Sequence, residues 1–246
     1  MTYFIYGTHA VEAALKNKRR GKKKLYVTEM KPEYKNLPFP VEKVDYKQIT
    51  SRMPGGAVHQ GVALEVENIV QPKLDEFVKK LDLDKRNLVV ILDQLTNPQN
   101  IGAILRTVAA FRGKAVIAPE SNSPAETGAM AKSAAGALEF VPFIRVPNLA
   151  RAMELLKKSG FWTVGLDGKA KDSLYKLDLP KNVALVMGSE GEGLRPLTQK
   201  NCDFMAKLDI DQSMESLNVS IAAGIAVYEI QKMEFKADVG SIRVPL

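Results

Sequence analysis

The chain has 246 residues, 46% apolar and 26% charged, with a net charge of +7. That length suits two domains or one large α/β domain, and no stretch approaches the roughly 20 apolar residues that a membrane-spanning helix needs. Cys202 is the single cysteine and His9 and His59 are the two histidines, which excludes a disulfide framework and argues against a Cys/His metal site. The start, Met-Thr-Tyr-Phe-Ile-Tyr-Gly, lacks a basic segment ahead of an apolar one, so a cytoplasmic, metal-free protein is expected.

The positive charge is concentrated early. Residues 1–70 carry 12 Lys/Arg against 7 Asp/Glu, a net of +5, and Lys16, Lys18, Arg19, Arg20, Lys22, Lys23 and Lys24 crowd into nine positions. Such density suits phosphate contacts and steering toward nucleic acid, although a solvated helix end would also collect cations. In chain order, Thr8 is a plausible N-cap for a helix carrying Val11, Ala14 and Leu15, with Gly21 as its stop. β-like runs follow at 24–28, 41–45 and 60–67, with a helix at 46–53 closed by Pro54-Gly55-Gly56. Residues 1–70 therefore read as a small α/β module, 71–86 as a linker and first helix, and 87–246 as the second domain.

From residue 87 strands and helices alternate, the pattern of a parallel sheet covered on both faces. Strands are expected at 88–92, 115–118, 143–146, 162–166, 183–187 and 205–210. Helices are expected at 101–111, 125–134, 149–158, 194–202 and 217–235. The last has Leu217, Ile221, Ile225 and Tyr228 on one face and Val219, Ala223, Ala226 and Ile230 on another. A terminal helix apolar on two faces wants burial on both, as a homodimer would provide.

Three loops at strand ends gather residues that packing does not explain, and strand C-termini are where ligands bind in such sheets. The first, Asp93–Asn100, leads into a helix with Asn100 as the expected N-cap, Gly102 allowing another backbone close, and Arg106 in the second turn. It contains no glycine, so it is not the first turn of a dinucleotide fold. The second, Gly188-Ser189-Glu190-Gly191-Glu192-Gly193, implies unusual backbone angles or close approach to a ligand, and holds Glu190 at a strand tip. The third brings Ser216, Asn218 and Ser220 to a helix start suited to an anion or a ribose.

Together these segments resemble the three signature motifs of the SpoU, or TrmH-like, RNA 2′-O-methyltransferases: Asn97–Thr107, Leu185–Leu194 and Ser216–Ala222. Tyr6–Leu15 and Val58–Ala63 are similar to the N-terminal domain of the branch that methylates a guanosine of large-subunit ribosomal RNA. The resemblance covers essentially the whole chain. It implies a deep C-terminal trefoil knot, which ordinary topology rules would reject, and an N-terminal RNA-binding domain like ribosomal protein L30e. It further implies S-adenosylmethionine held at Gly188, Leu208 and Leu217, ribosomal RNA as substrate, and a homodimer.

By the same resemblance the catalytic set is Arg106 with Asn100, Glu190, Ser216 and Asn218, and the arginine often serves the donor bound in the partner subunit. A general-base role conflicts with the permanent charge of a guanidinium; holding a phosphate or stabilising the developing alkoxide is the alternative. A transfer-RNA ribose is the competing substrate. A non-catalytic RNA-binding protein is the competing class, but it would not need the five polar residues together.

Overall fold

The computed structural model describes residues 2–189, 191–211 and 213–237, with side chains as far as 232. The first element, β1 (Thr2–Tyr6), is a strand absent from the sequence expectation. It is followed by α1 (Thr8–Lys16), β2 (Lys22–Val27), β3 (Val41–Lys43), α2 (Tyr46–Thr50) and β4 (Val62–Glu67). The cap of α1 is Gly7, at φ +87°, rather than Thr8, and the helix ends at Asn17, short of Gly21. Asp45 caps α2 through a reciprocal box with Gln48: the Asp45 carboxylate accepts from the Gln48 amide and the Gln48 side-chain oxygen accepts from the Asp45 amide, which satisfies two backbone donors at the helix start. The sheet order is β1-β4-β2-β3, antiparallel except for the β2–β3 pair. Tyr6, Tyr26, Val44, Ile49, Met53 and Ala63 fill the core against α2.

The remaining elements are α3 (Leu74–Lys79), β5 (Asn87–Leu92), α4 (Pro98–Ala110), β6 (Ala115–Pro119), α5 (Gly128–Ala134), β7 (Phe143–Val146), α6 (Leu149–Lys158), β8 (Trp162–Leu166), β9 (Asp172–Ser173), β10 (Asn182–Met187), α7 (Pro196–Lys200), β11 (Phe204–Lys207) and α8 (Val219–Ala237). Seven strands form one parallel sheet in the order β7-β6-β5-β10-β8-β11-β9. The expected α/β fold with a parallel sheet is therefore present. Val89, Ile91, Ala115, Ile117, Ala184 and Val186 turn one face of it toward α3 and α6. The alternate residues Leu88, Val90, Leu92, Val116, Val183 and Leu185 are equally buried, and α8 packs on β5 and β10. Burial on both faces is why these strands read as unbroken apolar runs.

The chain passes from one compact unit to the other at residues 71 and 72, but the first unit also takes in two later segments. One unit joins residues 1–71 to 96–106 and 124–142, and the other holds 72–95, 107–123 and 143–246, so the boundary runs through α4 between Arg106 and Thr107. Within the first unit β1 packs on α5, where a Cβ on Gly128 would lie 2.3 Å from the Phe4 carbonyl oxygen. A Cβ on Gly102 would lie 2.4 Å from the Met130 carbonyl oxygen; the close backbone expected there is that of α5.

Candidate active site

In the parallel-sheet unit, Gly188 directly follows β10 and Leu208 directly follows β11. Both strands run the same way with only β8 between them, so the two residues stand on one edge of the sheet. Ser189 and Gly193 close the loop between them through paired backbone bonds of 3.0 and 3.1 Å. A Cβ on Gly188 would come within 2.2 Å of the Gly193 carbonyl carbon. Glycine is required there by the loop's own return, not only by a ligand. Gly191 and Gly193 adopt left-handed angles, φ +86° and +69°, and their outer sides face open space. Glu190 lies outside the described residues.

At the start of α8 the Asn218 side chain accepts from the Ser220 amide at 2.9 Å and from its hydroxyl at 2.6 Å. Asn218 is therefore the N-cap, with exposed Ser216 and half-buried Leu217 just ahead of it.

The first turns of α4 lie in the other unit, and the helix begins three residues earlier than expected, at Pro98. Asn97, not Asn100, is its cap, accepting from the Gln99 amide at 2.9 Å; proline suits the first helical position because its missing donor would be an orphan there. Asn100 stands inside the first turn and is 9% exposed, while Arg106 is exposed. The helix thus turns one of the pair inward and presents the other to solvent.

The basic run divides in a way that composition could not indicate. Arg20 is 3% exposed. It grips Glu139 through Nε at 3.1 Å and Nη2 at 2.7 Å, and Glu126 through Nη1 at 2.7 Å. The Tyr3 hydroxyl joins by donating to Glu126 at 2.9 Å. Arg20 is therefore a structural ion-pair residue and is withdrawn from the phosphate contacts expected of it, because two buried carboxylates already hold its charge. Lys22 donates to the Asn17 carbonyl at 2.6 Å, Lys23 pairs with Glu67 at 2.7 Å and Lys24 with Glu42 at 2.5 Å. Lys16, Lys18 and Arg19 remain exposed.

Sequence reasoning passed over a second fixed arginine. Asp93 is fully buried and binds Arg195 three times: from the backbone amide at 3.2 Å, from Nε at 2.7 Å and from Nη2 at 2.6 Å. The signal available was an aspartate closing an apolar strand run, a place where a charge persists only if paired. Burial pushes the Cys202 thiol up to about 12, which removes it as a nucleophile at neutral pH.

Two family models match the chain: the SpoU rRNA Methylase family over residues 87–228, and the RNA 2′-O ribose methyltransferase substrate-binding family over residues 4–71. The 23S rRNA (guanosine-2′-O-)-methyltransferase RlmB of Coxiella burnetii is 40% identical over 239 residues, covering 93% of this chain and 94% of the relative. Its counterpart from Escherichia coli is 36% identical, covering 93% and 98%. Among solved structures, the SpoU methyltransferase AviRb from Streptomyces viridochromogenes in complex with AdoMet superposes with a TM-score of 0.82 at 20% identity, covering 95% of this chain and 91% of that one. At that identity the likeness concerns the fold.

Proposed function

The chain belongs to the SpoU rRNA methylase family, and on that premise we propose that it methylates the ribose 2′-hydroxyl of a guanosine in large-subunit ribosomal RNA, with S-adenosylmethionine as donor. The observation that carries this reading is the likeness, over more than nine-tenths of both chains, to the Coxiella and Escherichia enzymes of that specificity. A cytoplasmic setting follows from that substrate, and none of the described helices is long and apolar enough to cross a membrane.

The loop after β10 fits the donor: the left-handed Gly191 and Gly193 leave open space where side chains would stand, and Leu208 and Leu217 offer half-buried apolar surface for an adenosine. Gly188, Leu208 and Leu217 would hold it, and when bound it supplies a methyl group made electrophilic by its sulfonium. The protein's work is alignment of the ribose oxygen in line with that methyl, which is worth up to roughly 7–11 kcal/mol. Arg106, always charged, would hold a phosphate or stabilise the developing alkoxide rather than accept the proton. Asn100, Ser216, Asn218 and Glu190 would orient these groups.

We read β10, inserted between β5 and β8 and followed by α8 returning to β5 and β10, as the core of a trefoil knot. The mixed sheet of residues 1–70 is read as an L30e-like RNA-binding domain, with Lys16, Lys18 and Arg19 as its phosphate contacts. The chain acts as a homodimer, with Arg106 serving the donor site of the partner subunit.

The test is incubation with labelled S-adenosylmethionine and separated ribosomal and transfer RNAs, mapping the product by its resistance to alkaline cleavage. A 2′-O-methylguanosine in 23S RNA is expected, whereas methylation confined to transfer RNA, or placed on a base, overturns the substrate. Arg106→Ala should abolish transfer while leaving donor binding, read by calorimetry, intact.

A further inference from the structure

A cleft of about 220 Å³ opens at the carboxyl ends of β5, β6 and β7, with Arg195 from the chain after β10 on its wall. It lies wholly within the parallel-sheet unit. In the sheet order it falls on the β5-β6-β7 side, whereas Gly188 and Leu208 follow β10 and β11 on the other. Neither the proposed donor site nor the proposed catalytic set uses it.

Its walls are built and fixed. Pro119 and Pro147 give rigid apolar surfaces, and Gln94, Ser121, Asn148, Arg195 and the buried Thr198 supply the polar ones. Gln94 is held at φ +60°, a left-handed conformation that a non-glycine residue adopts only where its surroundings enforce it. The turn carrying Ser121 is clamped by the Arg145 guanidinium, which donates to the carbonyls of Glu120 and Ser123. Asn148 spends its oxygen on the Arg151 amide at 3.0 Å, so the amide nitrogen is the group it has to offer.

Arg195 gives the cleft its chemistry. Asp93 beneath it is fully buried and engages Nε and Nη2, yet the Arg195 side chain is 46% exposed, and among the described residues Nη1 makes no hydrogen bond. A buried ion pair adds little net stability over an apolar replacement. What it does provide is orientation: the guanidinium is held from below and presented above, with little rotamer freedom left to lose on binding. The lining contains no Asp or Glu. A cleft with one oriented guanidinium, two hydroxyls and two amides, and no exposed carboxylate, selects an anion with hydrogen-bonding edges beside it. A cleft of this size takes a single small unit rather than a helix.

We propose that this cleft is a second RNA subsite, receiving a nucleotide next to the target with its phosphodiester on Arg195. The proposal rests on the RNA-methyltransferase reading, and the experiment separates the two. Full-length protein is titrated against a fluorescein-labelled 23S-type stem-loop, with anisotropy as readout, and against S-adenosylmethionine by calorimetry. Ser121 is exposed, so Ser121→Asp should fold with an unchanged melting temperature. One carboxylate facing the phosphate should weaken RNA binding about tenfold, Ser121→Lys should bind at least as tightly as the parent, and donor affinity should be the same in all three. RNA affinity for Ser121→Asp within twofold of the parent overturns the subsite. So does weakening of donor binding in place of RNA binding. The RNA titration gives its result whether or not the parent protein transfers methyl groups, and the methylation assay alone judges that other reading.

Discussion

Arg20 and Arg19 are neighbours in sequence and opposites in the folded chain. Arg20→Ala would leave Glu126 and Glu139, side chains 5% exposed, without their counter-charge, a loss of about 3–5 kcal/mol. For a chain of this size that lowers the melting temperature by about 10 °C, while Arg19→Ala should change it by about 1 °C; calorimetric melts of the two variants decide the assignment. His59 makes a second residue-level case. It is fully buried, accepts from the Gly61 amide at Nδ1 (3.2 Å) and meets the Thr50 hydroxyl at Nε2 (2.9 Å), an arrangement that needs the neutral ring. Burial, and then the charge of Lys132, hold its pKa below the ordinary histidine value. The unfolded chain therefore takes up the proton first as pH falls through about 6.5, and stability present above that range is lost below it. Urea midpoints at pH 7.5 and 5.5 should show a steeper loss in the parent protein than in His59→Asn; equal slopes would rule His59 out as the source.

At the scale of elements, α8 has two apolar stripes with different fates. Val219, Ala223, Ala226, Val227 and Ile230 are buried, with Tyr228 packing edge-on against Phe111 at 5.4 Å. Ile221, Ile225 and Tyr228 are 55%, 46% and 52% exposed. Their spacing puts them on one face, the face that the proposed homodimer would cover. Ile225→Glu should shift the parent protein's sedimentation from dimer to monomer and remove the concentration dependence of its melting temperature. A parent that sediments as a monomer at tens of micromolar would refute the dimer and, with it, the action of Arg106 across subunits. The strand β1 escaped the sequence reading because Thr2–Tyr6 alternates only weakly and is a chain terminus. Its strand character comes from pairing with β4, 65 to 57 positions away: Thr2 faces Glu67 and Tyr6 faces Ala63.

For the whole molecule, the break near residue 70 is one of several at which the chain passes between the compact units. Deleting 1–70 removes β1 from α5 and Arg20 from Glu126 and Glu139. The remaining chain, 71–246, should therefore melt early and non-cooperatively, and be cut by protease within 124–142 before the parallel sheet is attacked. A fragment that melts as sharply as the full chain would show that the first seventy residues are dispensable to the second part.

Much of this protein was legible in one dimension because the relevant physics is local. Period-2 and unbroken apolar runs located β5, β7, β8 and β10 within a residue, since burial on a sheet face is imposed strand by strand. The motif loops stood out because glycines and polar residues cluster there outside any apolar period, although Gly102 and Gly188 each meet a close backbone in the fold. What the sequence could not fix was which charges meet. Arg20 reaches Glu139 across 119 positions and Asp93 reaches Arg195 across 102. Desolvation makes a buried charge depend wholly on its partner, and only the tertiary structure brings that partner within 3 Å. The same run of cations is for that reason part surface, open to phosphate, and part core.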